Sequence, residues 1–255
     1  MLLPVSTTFP DQFRLDGRTA LVTGSGRGLG WAMAKGLAEA GARVLLHGRD
    51  RERLEPRLKE LAGSGAVVFD MVDRAAMQAA IAAAPKIDIL IHNVGARDRR
   101  SFAEIEPEDF AQLIDLDLNA AHALVKLVTP HMQAQHWGRL VMVTSIVAHL
   151  ATPSSLSYTA AKGGLAALMR GLAAVLGASG ITSNAIAPGF FATETNAALI
   201  ASPAGERMRE RCPAKRWADP SEIAGAAVFL ASPAASFVNG HTLTVDGGVS
   251  ATYMA

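Results

Sequence analysis

A single cysteine, Cys212, stands among 255 residues, so the chain cannot close an internal disulfide and is no cystine-stapled secreted scaffold. A reducing cytoplasm suits it best. No stretch approaches the roughly 18 uninterrupted apolar residues of a helical membrane span. The opening MLLPVSTTFPDQF lacks a basic start and is broken by two prolines, which argues against a signal peptide. Neither sign of charge dominates. With 24 Lys and Arg against 23 Asp and Glu, the net charge of +1 offers no general field for nucleic acid or an anionic membrane. Tyrosine occurs only as Tyr158 and Tyr253.

Half of the residues are apolar and 18% are charged, a balance far from that of disordered chains. Short apolar runs alternate with helix-like segments. TALVTG (Thr19 to Gly24), RVLLH (Arg43 to His47), AVVF (Ala66 to Phe69), IDILIH (Ile87 to His92), RLVMVT (Arg139 to Thr144), ITSNAIA (Ile181 to Ala187) and HTLTV (His241 to Val245) read as strands. Their continuous apolar character fits parallel strands covered on both faces. The expectation is α/β: one doubly wound parallel sheet, a Rossmann fold, with residues 1–255 forming a single dinucleotide-binding catalytic domain. A charged helix is expected over Asp50 to Leu61, and a short helical lid insertion over about 190–218, at the carboxyl edge of the sheet where such folds bind ligands.

Thr23-Gly24-Ser25-Gly26-Arg27-Gly28-Leu29-Gly30 joins the first expected strand to the first expected helix. Glycines here serve either an ordinary turn or a backbone that approaches a pyrophosphate at a helix N-terminus; the place at the head of an alternating β/α chain favours the dinucleotide. The Gly-Lys-Ser/Thr ending of a P-loop is missing. At the end of the second strand, Arg49 follows Gly48 and no acid occurs before Asp50, so NADP(H) is favoured over NAD(H), with Arg27 as a second cation for a 2′-phosphate. The alternative is an Arg49 that merely begins a solvated helix face.

Tyr158 and Lys162 lie four residues apart and share one face of an expected helix. An ammonium beside a phenol favours the phenolate, the form that exchanges a proton with an alcohol. Alone, the pair reads equally as a surface contact. Thirteen residues ahead of Tyr158, Ser145 follows an apolar strand at its carboxyl end, where a turn serine is common but a substrate is also expected. Glycine turn, strand-end serine and Tyr/Lys helix occur in one consistent order.

In these motifs the chain resembles the short-chain dehydrogenase/reductase family, from about Arg14 to Gly248. The resemblance implies a cofactor site made of Gly24, Ser25, Arg27, Gly28, Leu29, Gly30, Arg49, Asp70, Met71, Asn93, Gly95, Tyr158, Lys162, Pro188, Gly189 and Thr193. It implies catalysis by Ser145, Tyr158 and Lys162, with Ser145 and Tyr158 also touching substrate. His92-Asn93-Val94-Gly95 is similar to the family's Asn-Asn-Ala-Gly element, with His92 and Val94 as departures. Asp117 falls where the family has a catalytic asparagine that holds a water through its backbone carbonyl. Asn119, about 200° further around an α-helix, cannot take its direction. The other reading of Asp117 is a solvated helix residue.

Arg97-Asp98-Arg99-Arg100 follows the fourth strand and could orient a carboxylate or simply be a solvated loop. The segments around His47 to Asp50, Ala187 to Glu194, Arg216-Trp217 and Phe237 to His241 resemble the gluconate 5-dehydrogenase branch, and Arg99 matches an arginine of its loop. The resemblance therefore implies interconversion of a sugar acid and its keto form, with Arg99 on the substrate carboxylate. A reductase of another ketone, such as a 3-oxoacyl thioester, and a non-catalytic NADPH-binding regulator are the alternatives. His149 reads either as a pocket residue or as a loop histidine. His131 and His136 lack zinc-ligand spacing, and no metal is expected. The family also implies a homotetramer, with helices at Ala120 to Val128 and Leu165 to Leu176 in the dimer contact; no nucleic-acid or membrane partner is expected.

Overall fold

The computed structural model describes residues 8–151 and 155–252; Tyr253 lies outside them. Seven short strands are expected from the apolar runs, and seven form: β1 (Thr19–Val22), β2 (Arg43–Gly48), β3 (Gly65–Val68), β4 (Ile89–His92), β5 (Gly138–Val143), β6 (Ile181–Pro188) and β7 (Thr242–Val245). Every pairing is parallel, in the order β3-β2-β1-β4-β5-β6-β7. Both faces of the central strands are buried, which explains runs such as Ile89-Leu90-Ile91 with no polar alternation. The strand order reverses direction between β1 and β4, and a crevice opens there at the carboxyl ends.

Helices cover the two faces. α1 (Gly28–Glu39) and α9 (Ala224–Ala231) pack on one side, where Met33, Leu37, Ile223, Ala227 and Leu230 join Val22, Leu46 and Ile91 in a core. On the other lie α3 (Arg74–Ala83), α5 (Ala120–Ala134) and α6 (Leu156–Leu176), whose Met77, Leu124, Leu165 and Met169 meet Leu21, Leu90 and Leu140. By length and composition, Leu156–Ser179 is the one helical stretch among the described residues that could cross a bilayer. Here it lies along β5 and β6, with Tyr158 and Lys162 on its buried side.

Two local expectations change. The charged helix contracts to α2 (Glu55–Glu60), because Pro56 starts it, the Asp50 carboxylate accepts the Glu52 N–H (2.9 Å) in a preceding turn, and Leu54 is buried as an anchor. Between α4 (Pro107–Ile114) and α5 the chain does not stay α-helical: Asp115–Asn119 form one π-helical turn. The segment after β6 contains α7 (Ala197–Ile200) and α8 (Pro203–Arg211), and its two ends are stitched by Ala192 N–H to Ala218 O (2.8 Å) and Ala218 N–H to Phe190 O (2.9 Å).

Candidate active site

The carboxyl ends of β1, β2, β4, β5 and β6 border a cavity of about 810 Å³. At one end the glycine turn leaves β1 with Gly24 at φ +63° and Gly28 at φ +55°, conformations that suit residues without a Cβ. A Cβ on Gly30 would collide with the Gly24 carbonyl and come within 2.6 Å of Asn93 Nδ2, so the turn folds back on β4 only because position 30 is bare. Asn93 completes the joint: its backbone N–H donates to Thr23 Oγ1 (2.8 Å) and its side-chain amide to Thr23 O (3.0 Å). Arg27, Leu29, Arg49, Asp70, Met71 and Gly95 line this end. Arg49 stands 3.8 Å from Asp70 and is exposed, free to turn toward an anion.

Ser25 departs from the expectation. It is fully buried and not among the cavity-lining residues; its N–H donates to His47 O (3.1 Å), and its Oγ accepts the His47 N–H (2.9 Å). It fastens the turn to β2 rather than facing a cofactor. His47 itself lines the cavity, a role that its place inside an apolar strand concealed. Its Nδ1 accepts from Gly24 N–H (3.1 Å) and its Nε2 lies 3.2 Å from Phe69 O, an arrangement met by the neutral Nε2–H tautomer. Burial lowers its pKa to about 4, against the raising influence of the Phe69 carbonyl and Asp70.

Ser145, Tyr158 and Lys162 meet at the middle of the cavity, each less than 10% exposed. Ser145 stands directly after β5, and its Oγ accepts the Val147 N–H (3.3 Å) at the start of a short 3-10 turn. Tyr158 and Lys162 rise one turn apart on α6, with the ammonium 5.7 Å from the phenol ring centroid. Lys162 Nζ donates to Val143 O (3.2 Å) and lies 3.3 Å from Asp117 Oδ2. Pro188, Gly189 and Thr193 close this stretch from the β6 side.

Asp117 is neither solvated nor directed like a residue of a regular α-helix. The π-helical turn points it inward and buries it completely, behind the cavity lining, while Asn119 stays exposed and bonds Asp115 (3.2 Å). Its Oδ1 accepts the Ala96 N–H (2.9 Å). Burial raises its pKa, with the Lys162 charge opposing that rise. A Cβ on Gly95 would lie 2.5 Å from Lys162 Nζ and 2.9 Å from Asp117 Oδ2, so the chain crosses directly over the pair.

Beyond Ser145 and Tyr158 a second cavity of about 600 Å³ continues toward the segment after β6. Arg97 and Arg99 line both spaces, and the Arg97 guanidinium carbon is 5.3 Å from the Tyr158 ring centroid. Arg100 is tied up instead by Asp98 and Asp109. Met208, Arg211 and Trp217 complete the far wall. His149 is exposed and ends the 3-10 turn without lining either space.

A family model described as enoyl-(acyl carrier protein) reductase matches residues 24–250. Gluconate 5-dehydrogenase of Gluconobacter oxydans (strain 621H) is 40% identical over 94% of this chain and 98% of that protein. The 5-keto-D-gluconate 5-reductase of Escherichia coli (strain K12) is 36% identical over 94% and 98% of the two chains. Among solved structures, a gluconate 5-dehydrogenase from Burkholderia cenocepacia J2315 in complex with NADP and tartrate superposes with a TM-score of 0.91 at 40% identity, covering 96% of this chain and 100% of that one. The chain belongs to the short-chain dehydrogenase/reductase family.

Against the family pattern, two of the three departures noted in the sequence, His92 and Asp117, turn out to be neighbours. His92, at the end of β4, is fully buried, forms no side-chain hydrogen bond of good geometry, lies beside the Asp117 backbone, and feels the charge of Lys162. Desolvation above all lowers its pKa to about 3, so it is neutral. A short-chain dehydrogenase/reductase with asparagine at both positions would place two neutral amides here; this one places an imidazole and a carboxyl group beside the same lysine. His131, by contrast, faces Asp88 (3.3 Å) at the opposite edge of the sheet. Among the described residues no three His, Cys, Asp or Glu side chains are grouped to hold a metal ion.

Proposed function

We propose that this chain interconverts a sugar-acid hydroxyl and its ketone with NADP(H), with gluconate and 5-ketogluconate as the substrate pair. The observation that carries the reading is a pair of adjoining cavities that share the proton-transfer group Tyr158 with Ser145, with arginines lining both. The glycine cradle fits a dinucleotide: Gly30 is bare where any side chain would collide, and the start of α1 offers unpaired amides to a pyrophosphate. Arg27 and Arg49 would hold a 2′-phosphate, the basis for NADP(H) over NAD(H). Asp70 and Met71 would flank the adenine, and Asn93, Gly95, Pro188, Gly189 and Thr193 the nicotinamide half.

When bound, the nicotinamide supplies the hydride acceptor or donor. Tyr158 takes the hydroxyl proton during oxidation and returns it during reduction. Ser145 hydrogen-bonds the reacting oxygen and stabilises charge as it develops. Lys162, held by Val143 O and Asp117, fixes a positive charge beside the phenol. Arg99 orients the substrate carboxylate, and the segment over about 190–218 acts as the lid. The homologous gluconate enzymes support the substrate, and the NADP in the Burkholderia cenocepacia structure supports the cofactor. We assign α5 and α6 to the dimer contact of a homotetramer.

The test is the rate of NADP+ and NAD+ reduction with gluconate, other hydroxy acids and neutral polyols, and the reverse reaction with 5-ketogluconate and a 3-oxoacyl thioester. We expect gluconate and 5-ketogluconate with NADP(H) to give the highest kcat/KM. A thioester that outruns both, or cofactor binding without turnover of any substrate, would overturn the reading.

A further inference from the structure

The second cavity carries a charge imbalance that Arg99 alone does not explain. Arg97, Arg99 and Arg211 line it, and among the described residues no aspartate or glutamate does. Three arginines close to these in sequence are paired: Arg100 with Asp98 and Asp109, Arg209 with Glu206, and Arg216 with Glu222 (2.5 Å). Arg211 has no carboxylate within 4.0 Å among the described residues, although Glu206 and Glu210 are close in sequence. Three like charges around one small space repel each other, and a bound anion relieves that repulsion.

The local fold accounts for the direction of Arg211. The Ser202 side chain caps α8 by accepting the Gly205 N–H (3.2 Å), and Trp217 Nε1 donates to Gly205 O (3.3 Å), which holds the helix against the returning chain at Trp217. Met208 and Arg211, three residues apart, share the face turned to the cavity, whereas Glu206 and Arg209 pair on the outside. Arg99 comes from the loop after β4 and Arg211 from α8, so two separate elements bring guanidinium groups to the space that Ser145 and Tyr158 also line.

We propose that Arg211 is a specificity-determining residue: it binds the substrate carboxylate together with Arg99, so that the α8 segment reads the acid end of the substrate while Ser145 and Tyr158 engage its reacting carbon. A planar guanidinium suits a carboxylate oxygen pair, and two of them on separate elements clamp it. Neutral sugars of the same length give Arg211 nothing to bind. The proposal rests on the sugar-acid reading above and extends it to a residue outside the loop after β4.

The experiment compares wild type with Arg211→Ala, Arg211→Lys and, as a control on the outer face of the same helix, Arg209→Ala. Steady-state kinetics is read on gluconate and on a neutral polyol, and titration calorimetry follows gluconate binding to the NADPH-loaded enzyme, in which oxidation has no hydride acceptor. Arg211→Ala is expected to raise KM and Kd for gluconate about tenfold with kcat within about twofold, to leave the polyol KM unchanged, and to be partly rescued in Arg211→Lys; Arg209→Ala is expected to match wild type. Unchanged gluconate binding in Arg211→Ala, or an equal rise for acid and polyol, overturns the proposal while leaving the sugar-acid function standing. Gluconate that binds but is not turned over, with binding weakened by Arg211→Ala, supports the clamp and rejects the function. Gluconate that does not bind wild type at all rejects both.

Discussion

The centre of the cavity and its rim are built on opposite principles. At the centre, Ser145, Tyr158, Lys162 and Asp117 are buried, and a backbone carbonyl and a carboxylate hold the lysine in place. At the rim, Arg27, Arg49, Arg97, Arg99 and Arg211 are partly or fully exposed on turns, loops and the end of a short helix. Buried charge acts strongly because little water screens it, and removing one partner strands the other. Exposed charge selects a ligand by sign at little structural cost. Damage to the centre should therefore appear in kcat or in the pH profile, and damage to the rim in KM and partner choice.

The sharpest way to break this comparison is Tyr158→Phe. We expect a loss of about a thousandfold in kcat with NADP(H) binding retained, measured by turnover and by cofactor titration. A Tyr158→Phe enzyme that fails instead through KM would merge centre with rim.

Asp117→Asn is expected to have a smaller effect of a different kind. It removes a carboxylate 3.3 Å from the Lys162 ammonium, while His92 on β4 stays neutral and the Arg97 guanidinium carbon stays 5.3 Å from the phenol ring centroid. The positive field on Tyr158 then strengthens, and the acidic limb of log kcat/KM against pH for alcohol oxidation, where the catalytic base gains its proton, moves to lower pH by about one unit. A profile that stays in place would leave Asp117 with a packing role only.

Near neutral pH the smallest expected effect is the one on stability. His47 and His92 are buried neutral, with pKa lowered from 6.5 to about 4 and about 3. Below about pH 6.5 the unfolded chain binds protons at both residues and the folded chain does not, so acid favours unfolding. Stability falls as pH drops through the window from 6.5 to about 4 for His47 and to about 3 for His92, by up to about 1.4 kcal/mol per pH unit for each. His92→Asn should flatten that fall in a series of thermal melts; an unaltered slope would show that His92 does not carry it.

The frame was legible because it rests on short-range rules. Continuous apolar runs became parallel strands, and a glycine turn between strand and helix became the cradle. Tyr158 and Lys162 were legible because four residues on a helix share a face. Asp117 was only half legible: its position in the family pattern could be counted, but its burial follows from a π-helical turn that changes the helical phase, which periodicity cannot show. Ser25 misled because most of the glycine turn, Gly24 and Arg27 to Gly30, lines the cavity, while a bond from β2, 22 residues away, turns Ser25 aside. Arg211 carried no local signal at all, since only the docking of α8 over the sheet edge brings it near Ser145.

The strand order has a further consequence, in time rather than in space. β1 pairs with β4 about 70 residues later, and the two cavities draw on segments from Gly24 to Thr252. Closing such long loops is slow, so no early or partial fold contains a usable site. Occupancy by a cofactor therefore reports on the finished molecule, and a ligand that binds only this state shifts the whole folding equilibrium toward it.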